Sequence, residues 1–209
     1  MMKQEKYKSN YQERSWIGSF GNEYIKRNSH QNILKSNQHL FSKILEKTNQ
    51  INSILELGCN IGLNLESLSK ISKNFELAGI EINRKACEIA KKKNIAKIIN
   101  CTITEEIKIE QVFDFVFTKG VLIHINPKDL KIAYKNLFDL SSKYILLAEY
   151  YNPQPISVDY RGKKNLLFKR DFAGELMDLY KLKLIDYGFI YHRDNSFPKD
   201  DITWFLLEK

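Results

Sequence analysis

The sequence predicts an α/β fold, an open and mostly parallel sheet with helices on both faces, and three observations carry that expectation. Short apolar runs alternate with segments of helical periodicity through the first three quarters of the chain, the pattern left by right-handed crossovers between parallel strands. A turn with glycines at Gly58 and Gly62 directly follows the first apolar run. The last two of seven runs have no helix between them, so they should close one side of a seven-stranded sheet as an antiparallel hairpin.

Ahead of the first strand, Ile33, Leu34, Leu40, Phe41, Ile44 and Leu45 recur at helical spacing, which predicts a helix over 32–47. A strand over Ser53–Leu57 leads into the turn, and a helix over 62–70 turns Leu65 and Leu68 inward. The next strand covers 77–82, and Asn83 has the side chain to cap a helix that ends near Asn94. Strands follow over 96–101 and 113–118. Asn126-Pro127 supplies an N-cap and a proline at the first helical position, so a helix is expected from there to about Leu140. A buried strand over 143–149 follows, Asp171 can cap a short helix to Tyr180, and strands over 184–191 and Ile202–Glu208 form the closing pair. No repeat or flexible linker interrupts the chain. The reading is one domain, with residues 1–50 as a helical extension or lid on a main body of residues 51–209. Trp16, Phe20 and Tyr24, set among glycines, either fold over a site or pack a terminal helix.

Bulk composition narrows the class. At 209 residues, 43% hydrophobic and 28% charged, the chain suits one ordinary globular domain. No apolar stretch approaches the roughly 18 residues of a membrane span, and the charged N-terminus predicts no signal peptide. Cys59, Cys87 and Cys101 are odd in number and lack metal-ligand spacing, which predicts a reducing cytoplasm and no metal site. The net charge of +8 invites a nucleic-acid reading. Runs such as Lys91-Lys92-Lys93 fit solvated helix faces better, and the positive field also suits a small anionic substrate.

Candidate chemistry begins at the glycine turn. Gly58 and Gly62 let the chain turn tightly and bring backbone N–H groups to a ligand, while Glu81, ending the second strand, can accept from two ribose hydroxyls. A dinucleotide fingerprint would need glycine at positions 60 and 63, where the chain has Asn60 and Leu63. The alternative spacing, an acidic residue then x-G-x-G-x-G, is met by Glu56, Gly58 and Gly62 with Asn60 at the middle position, and it predicts S-adenosylmethionine (SAM) as cofactor. Asn tolerates left-handed backbone better than most residues.

Ligands in such sheets lie beyond the carboxyl ends of the strands. Thr118, Lys119 and Gly120 should line the methionine half of the cofactor; His124 either points at the methyl group or merely closes a loop. Glu149, Tyr150, Tyr151 and Asn152 are placed to hold a polar acceptor, or the tyrosines simply cover the sheet. Tyr160, Arg161, Arg170, His192 and Arg193 gather basic groups that could grip a carboxylate or phosphate. His124 is the first choice of general base, with Glu149 and His192 next.

With Glu56 to Gly62, Glu81 and Asp114 to Gly120 on the page, the chain resembles class I SAM-dependent methyltransferases of Rossmann-like fold over nearly its whole length. More narrowly, Trp16 to Asn28, Leu55 to Gly62, Phe117 to Asn126, Ala148 to Pro153, Phe168 to Glu175 and Tyr187 to Trp204 look like the bacterial pseudaminic acid biosynthesis-associated methylases. That resemblance implies an acceptor among nonulosonic, sialic-acid-like sugars or their nucleotide-linked precursors. It also implies that Gly58, Cys59, Asn60 and Gly62 face the cofactor's amino-acid part, Glu81 its ribose and Ile82 its adenine, with Trp16 close by. Cys101 and Thr102 stand where the family often has an acidic residue near the adenine amino group, so that contact is expected from backbone. An RNA or protein methyltransferase, and a SAM-binding protein without catalysis, are the alternatives.

Overall fold

The computed structural model describes residues 9–27 and 31–209. The charged N-terminal stretch and Asn28, both used above, lie outside these. The sheet is built from β1 (Ser53–Leu57), β2 (Glu76–Glu81), β3 (Lys97–Asn100), β4 (Phe113–Lys119) and β5 (Ser141–Glu149), all parallel, and from the antiparallel β8 (Lys183–Ile190) and β9 (Ile202–Glu208). Their order across the sheet is β3-β2-β1-β4-β5-β9-β8. Chain direction across the sheet reverses between β1 and β4, and this switch point opens a crevice beyond the strand ends.

Alternation along the strands fixes two core faces, because successive side chains point to opposite sides. Leu55, Val116, Ile145 and Leu147 face α6 (Leu130–Asp139) and α7 (Phe172–Tyr180), which contribute Leu137 and Leu176. Ile54, Phe115, Phe117 and Leu146 face α3 (Gln31–Leu45), α4 (Leu63–Ile71) and α5 (Arg84–Lys92), which contribute Phe41, Leu68 and Ala90. Asn83 and Asp171 cap their helices as expected, accepting from the N–H groups of Ala86 and Gly174.

Two features depart from the expected layout. Residues 126–129 form a turn and α6 starts only at Leu130. Asn126 accepts from the N–H of Lys128, and the carboxylate at the helix N-cap, Asp129, is taken by the Asn10 side chain at 2.7 Å instead of by the helix. The segment after β5 holds an unforeseen hairpin, β6 (Ile156–Tyr160) and β7 (Lys163–Lys169), turned by Arg161 and Gly162 at φ 52° and 74°. Two successive left-handed residues make the tight connection that matches strand twist. The lead segment, expected to be helical, holds two short helices, α1 (Tyr11–Ile17) and α2 (Ser19–Arg27).

α1 is anchored on three sides. Glu13 accepts from Thr102 and Thr104 beyond β3, Gln12 donates to the Asn165 carbonyl on β7, and Asn83 donates to the Trp16 carbonyl at 2.8 Å. At the other side of the molecule, Gly188 on β8 lies against the Trp204 indole, and a Cβ there would sit 2.7 Å from Cζ2. Gly188→Ala should therefore lower the free energy of unfolding by about 1–3 kcal/mol through overpacking; urea denaturation checks this, and an unchanged midpoint would contradict it.

Candidate active site

The turn after β1 adopts the left-handed geometry its residues suggest, with φ of 83° at Gly58, 48° at Asn60 and 75° at Gly62. It is tied to β2 by the N–H groups of Gly58 and Cys59, which both donate to the Ile80 carbonyl. At Gly58 a side chain has no room: a Cβ would lie 2.6 Å from Val121 Cγ2. Glu81 ends β2 with one carboxylate oxygen accepting from the Asn60 N–H and the other from the Asn83 N–H, each at 2.7 Å. Burial raises its pKa, against the lowering effect of those N–H groups.

The turn opens into a cleft of about 430 Å³. Every expected cofactor residue lines it except Gly62, which stands at the N-terminus of α4, and Thr118, wholly buried within β4. Cys101 and Thr102 thus reach the cleft beside Glu13 from α1, whose carboxylate accepts from the Thr102 hydroxyl at 2.7 Å. A carboxylate does occupy this end of the cleft; it comes from α1, not from the segment after β3. The capping box of Asn10 and Glu13 was a local signal that this residue starts a helix. Nothing local says where that helix docks.

Of the three expected catalytic groups, His124 and His192 line the cleft and Glu149 does not. His124 lies in the short 3-10 turn Leu122–His124 after β4. Its Nδ1 is 2.6 Å from the Leu166 carbonyl of β7. A carbonyl only accepts, so Nδ1 carries the proton and Nε2 the lone pair. Trp16 and Tyr160 pack on the ring at centroid distances of 4.6 and 5.2 Å. Burial drives the His124 pKa down to about 4, so the imidazole is neutral at neutral pH. Glu149 sits behind this turn, accepting from the N–H groups of Val121 and Ile123, and burial raises its pKa to about 7. It positions His124. His192 pairs through Nδ1 with Asp201 at 2.9 Å, at the exposed mouth.

None of the expected acceptor-binding residues lines the cleft. Tyr150 lies beneath the Lys169 ammonium, Tyr151 packs on Phe205, and Asn152 donates to the Gln154 carbonyl of its own loop. Arg161 stands at the hairpin tip over Tyr160, Arg170 is paired with Glu175, and Arg193 is exposed. Tyr160 alone approaches the site, through His124. Most are captured nearer by: Tyr150, Tyr151 and Arg161 by cation or ring contacts, Asn152 by its own loop and Arg170 by Glu175. Among the described residues, the lysine and arginine side chains lining the cleft are Lys119, at the end of β4, and Lys199, before β9. Burial, then the charge of Lys119, lowers the Lys199 pKa to about 6, while burial raises that of Glu56 to about 8.

The sheet order, the glycine turn and the carboxylate ending β2 define a Rossmann-like methyltransferase fold. Residues 54–143 match the methyltransferase domain family. A malonyl-[acyl-carrier protein] O-methyltransferase from Bacillus anthracis is 30% identical over 122 residues, which is 56% of this chain and 45% of that protein. The chain therefore spans less than half the length of that curated relative. Among solved structures, the plantazolicin methyltransferase in complex with SAH aligns with a TM-score of 0.67 at 15% identity, covering 95% of this chain and 94% of that one. Magnesium protoporphyrin IX methyltransferase from Synechocystis PCC 6803 with bound SAH gives 0.67 at 13%, covering 94% and 97%. The N-methyltransferase NodS from Bradyrhizobium japonicum WM9 gives 0.65 at 12%, covering 87% and 98%. At these identities the likeness is one of fold.

The buried neutral histidine has a pH signature. Between its folded pKa of about 4 and the ordinary 6.5, the unfolded chain binds a proton that the native state does not, so stability falls as pH drops through that window. Relative to His124→Asn, the wild-type protein should lose about 3 kcal/mol more between pH 6.5 and 4. Urea midpoints measured across that range test it, and parallel profiles would contradict it.

Proposed function

We propose that this chain is a SAM-dependent methyltransferase acting on a small anionic acceptor, most specifically a nonulosonic, sialic-acid-like sugar or its nucleotide-linked precursor, in the cytoplasm. One observation carries the enzymatic reading: a single cleft runs from the glycine turn and Glu81 to a neutral, oriented histidine. The sugar acceptor rests on the resemblance of the Trp16, Phe117, Ala148 and Tyr187 segments to the pseudaminic acid group, and the three free thiols suit a reducing compartment.

The residues present fit the cofactor. The glycine turn brings Gly58 backbone to the cleft, the Glu81 carboxylate has lone pairs beyond its two backbone bonds for a ribose, and Ile82 offers apolar surface for adenine. SAM, when bound, supplies a methyl group on a sulfonium that is already electrophilic. What the protein must add is alignment and exclusion of water. Trp16 and α1 roof the cleft and act as its lid. His124, held by Leu166 and packed by Trp16 and Tyr160, accepts at Nε2 the proton of an acceptor hydroxyl as its oxygen attacks, or the proton of an acceptor ammonium so that the freed amine lone pair can attack. Glu149 fixes the turn that carries this base.

Calorimetry with SAM is the first test, and no binding would sink the reading. Labelled SAM incubated with a panel of sialic-acid-like sugars, followed by mass spectrometry, identifies the acceptor. With that acceptor, His124→Asn should lower kcat by roughly 10²- to 10⁴-fold while leaving SAM affinity unchanged. Full turnover in the variant would remove His124 from the base role.

A further inference from the structure

Where α2 meets the β6-β7 hairpin, three cations surround two aromatic rings that touch each other. Phe20 of α2 and Tyr160 of β6 pack at a centroid distance of 5.9 Å, and Tyr160 also packs on His124. Arg27, the last residue of α2, and Lys163, the first of β7, stand over the Phe20 ring at 5.7 and 5.6 Å, while Arg161 stands over Tyr160 at 5.8 Å. Neither Phe20 nor any of the three cations lines the cleft of the glycine turn and Glu81. The group is therefore outside the cofactor site, yet it is joined to the base through Tyr160 and through the Tyr24-Trp16-His124 ring contacts.

Arg27 is the least satisfied of the three. Its Nε and Nη2 are buried without a hydrogen-bond partner, and Nη1 has only a 3.9 Å contact to Glu23, whose own side chain is mostly exposed. The faces of Phe20 and Tyr24 attract the guanidinium but leave its charge in place. Lys163 and Arg161 make no ion pair among the described residues, and Lys26 and Lys164 are their chain neighbours. Donors that have left water without an acceptor are costly, and cations gathered around one ring pair repel. An anion relieves both. One carboxylate is too small to meet cations set over separate rings, whereas a phosphate ester offers more oxygens and matches the fork of an arginine. The Arg27 side chain is 31% exposed, so its open edge can be reached from solvent while α2 stays in place.

We propose that Arg27, Lys163 and Arg161 form a phosphate-binding site that holds the acceptor through a phosphate ester, so that the acceptor is the nucleotide-linked form of the sugar and not the free one. The part-exposed rings of Tyr24 and Tyr160 offer a nucleobase a stacking face beside those cations. The sugar then reaches along the Trp16 and Tyr160 rings toward His124. Use of the site for an acceptor rests on the methyl-donor reading; the binding of phosphate does not.

The test is calorimetry on the full chain, on Arg27→Met and on Lys163→Met, with pyrophosphate, CMP-N-acetylneuraminic acid, free N-acetylneuraminic acid and SAH as separate probes. The wild type should bind both phosphate-bearing probes and hold the free sugar more weakly than its CMP-linked form. Each substitution should weaken the phosphate-bearing probes by roughly 10- to 100-fold and leave SAH affinity unchanged, which also reports that the variant is folded. A wild type that binds no pyrophosphate, variants that bind it as the wild type does, or an equal loss of pyrophosphate and SAH would each overturn the site. Free sugar bound as tightly as the CMP-linked form would overturn the choice of acceptor. So would a short single-stranded RNA that binds far more tightly than CMP-N-acetylneuraminic acid and is lost in both variants, since the site would then serve nucleic acid. Failure of the wild type to bind SAH defeats the methyl-donor reading, and the pyrophosphate titrations still decide the phosphate site.

Discussion

Two backbone N–H groups, those of Asn60 and Asn83, converge on one buried carboxylate, Glu81, and the site is organised around that pair of hydrogen bonds. One bond fixes the turn after β1, the other fixes the start of α5, so the two walls of the cleft are referred to the same side chain. Burying a carboxylate is expensive unless donors meet it. Here the donors are main-chain groups, and the position of one, Asn60, follows from the left-handed turn of Gly58, Asn60 and Gly62. Asn83 extends the arrangement: its side chain caps α5 through one atom and grips the Trp16 carbonyl through another, so α1 is seated by the residue next to the site.

The same economy appears on the other side of the switch point. Glu149 ends β5 and turns inward to hold the N–H groups of Val121 and Ile123, so that a strand-end carboxylate organises the turn after β4 as Glu81 organises the turn after β1. Both carboxylates belong to the parallel part of the sheet, and each stabilises a neighbouring connection, Glu81 its own as well. A cleft whose walls are set in this way keeps its shape without depending on the rim. The basic and aromatic rim residues are then free to form local pairs, such as Arg170 with Glu175.

Much of this was legible because it is local. The strands Ser53–Leu57 and Ile202–Glu208, the cap at Asp171 and the left-handed position at Asn60 each depend on residues within a few positions of one another. What was not legible depends on distant partners. The N-terminus of α6 shifts because Asp129 meets Asn10, far away in sequence. The β6-β7 hairpin is harder to read because its strands, Ile156–Tyr160 and Lys163–Lys169, mix lysines with short apolar stretches such as Leu166-Leu167-Phe168, although Arg161-Gly162 marks its turn. Glu149 looked catalytic because it ends a strand at the right edge, and only the fold shows that its oxygens are taken by backbone. Lys199 and Glu13 carry no motif; they become site residues only when the segment before β9 and α1 pack against the cleft.

The contact between His124 and the Leu166 carbonyl joins the turn after β4 to the separate β6-β7 hairpin. The β6-β7 hairpin stands outside the seven-stranded sheet, seated by the buried side chains of Leu166 and Leu167. Yet this hairpin decides which imidazole nitrogen bears a proton. On the proposed reading of His124 as the base, a change in the hairpin that moves the Leu166 carbonyl also resets that base, so the shape of the hairpin and the protonation of the imidazole are coupled.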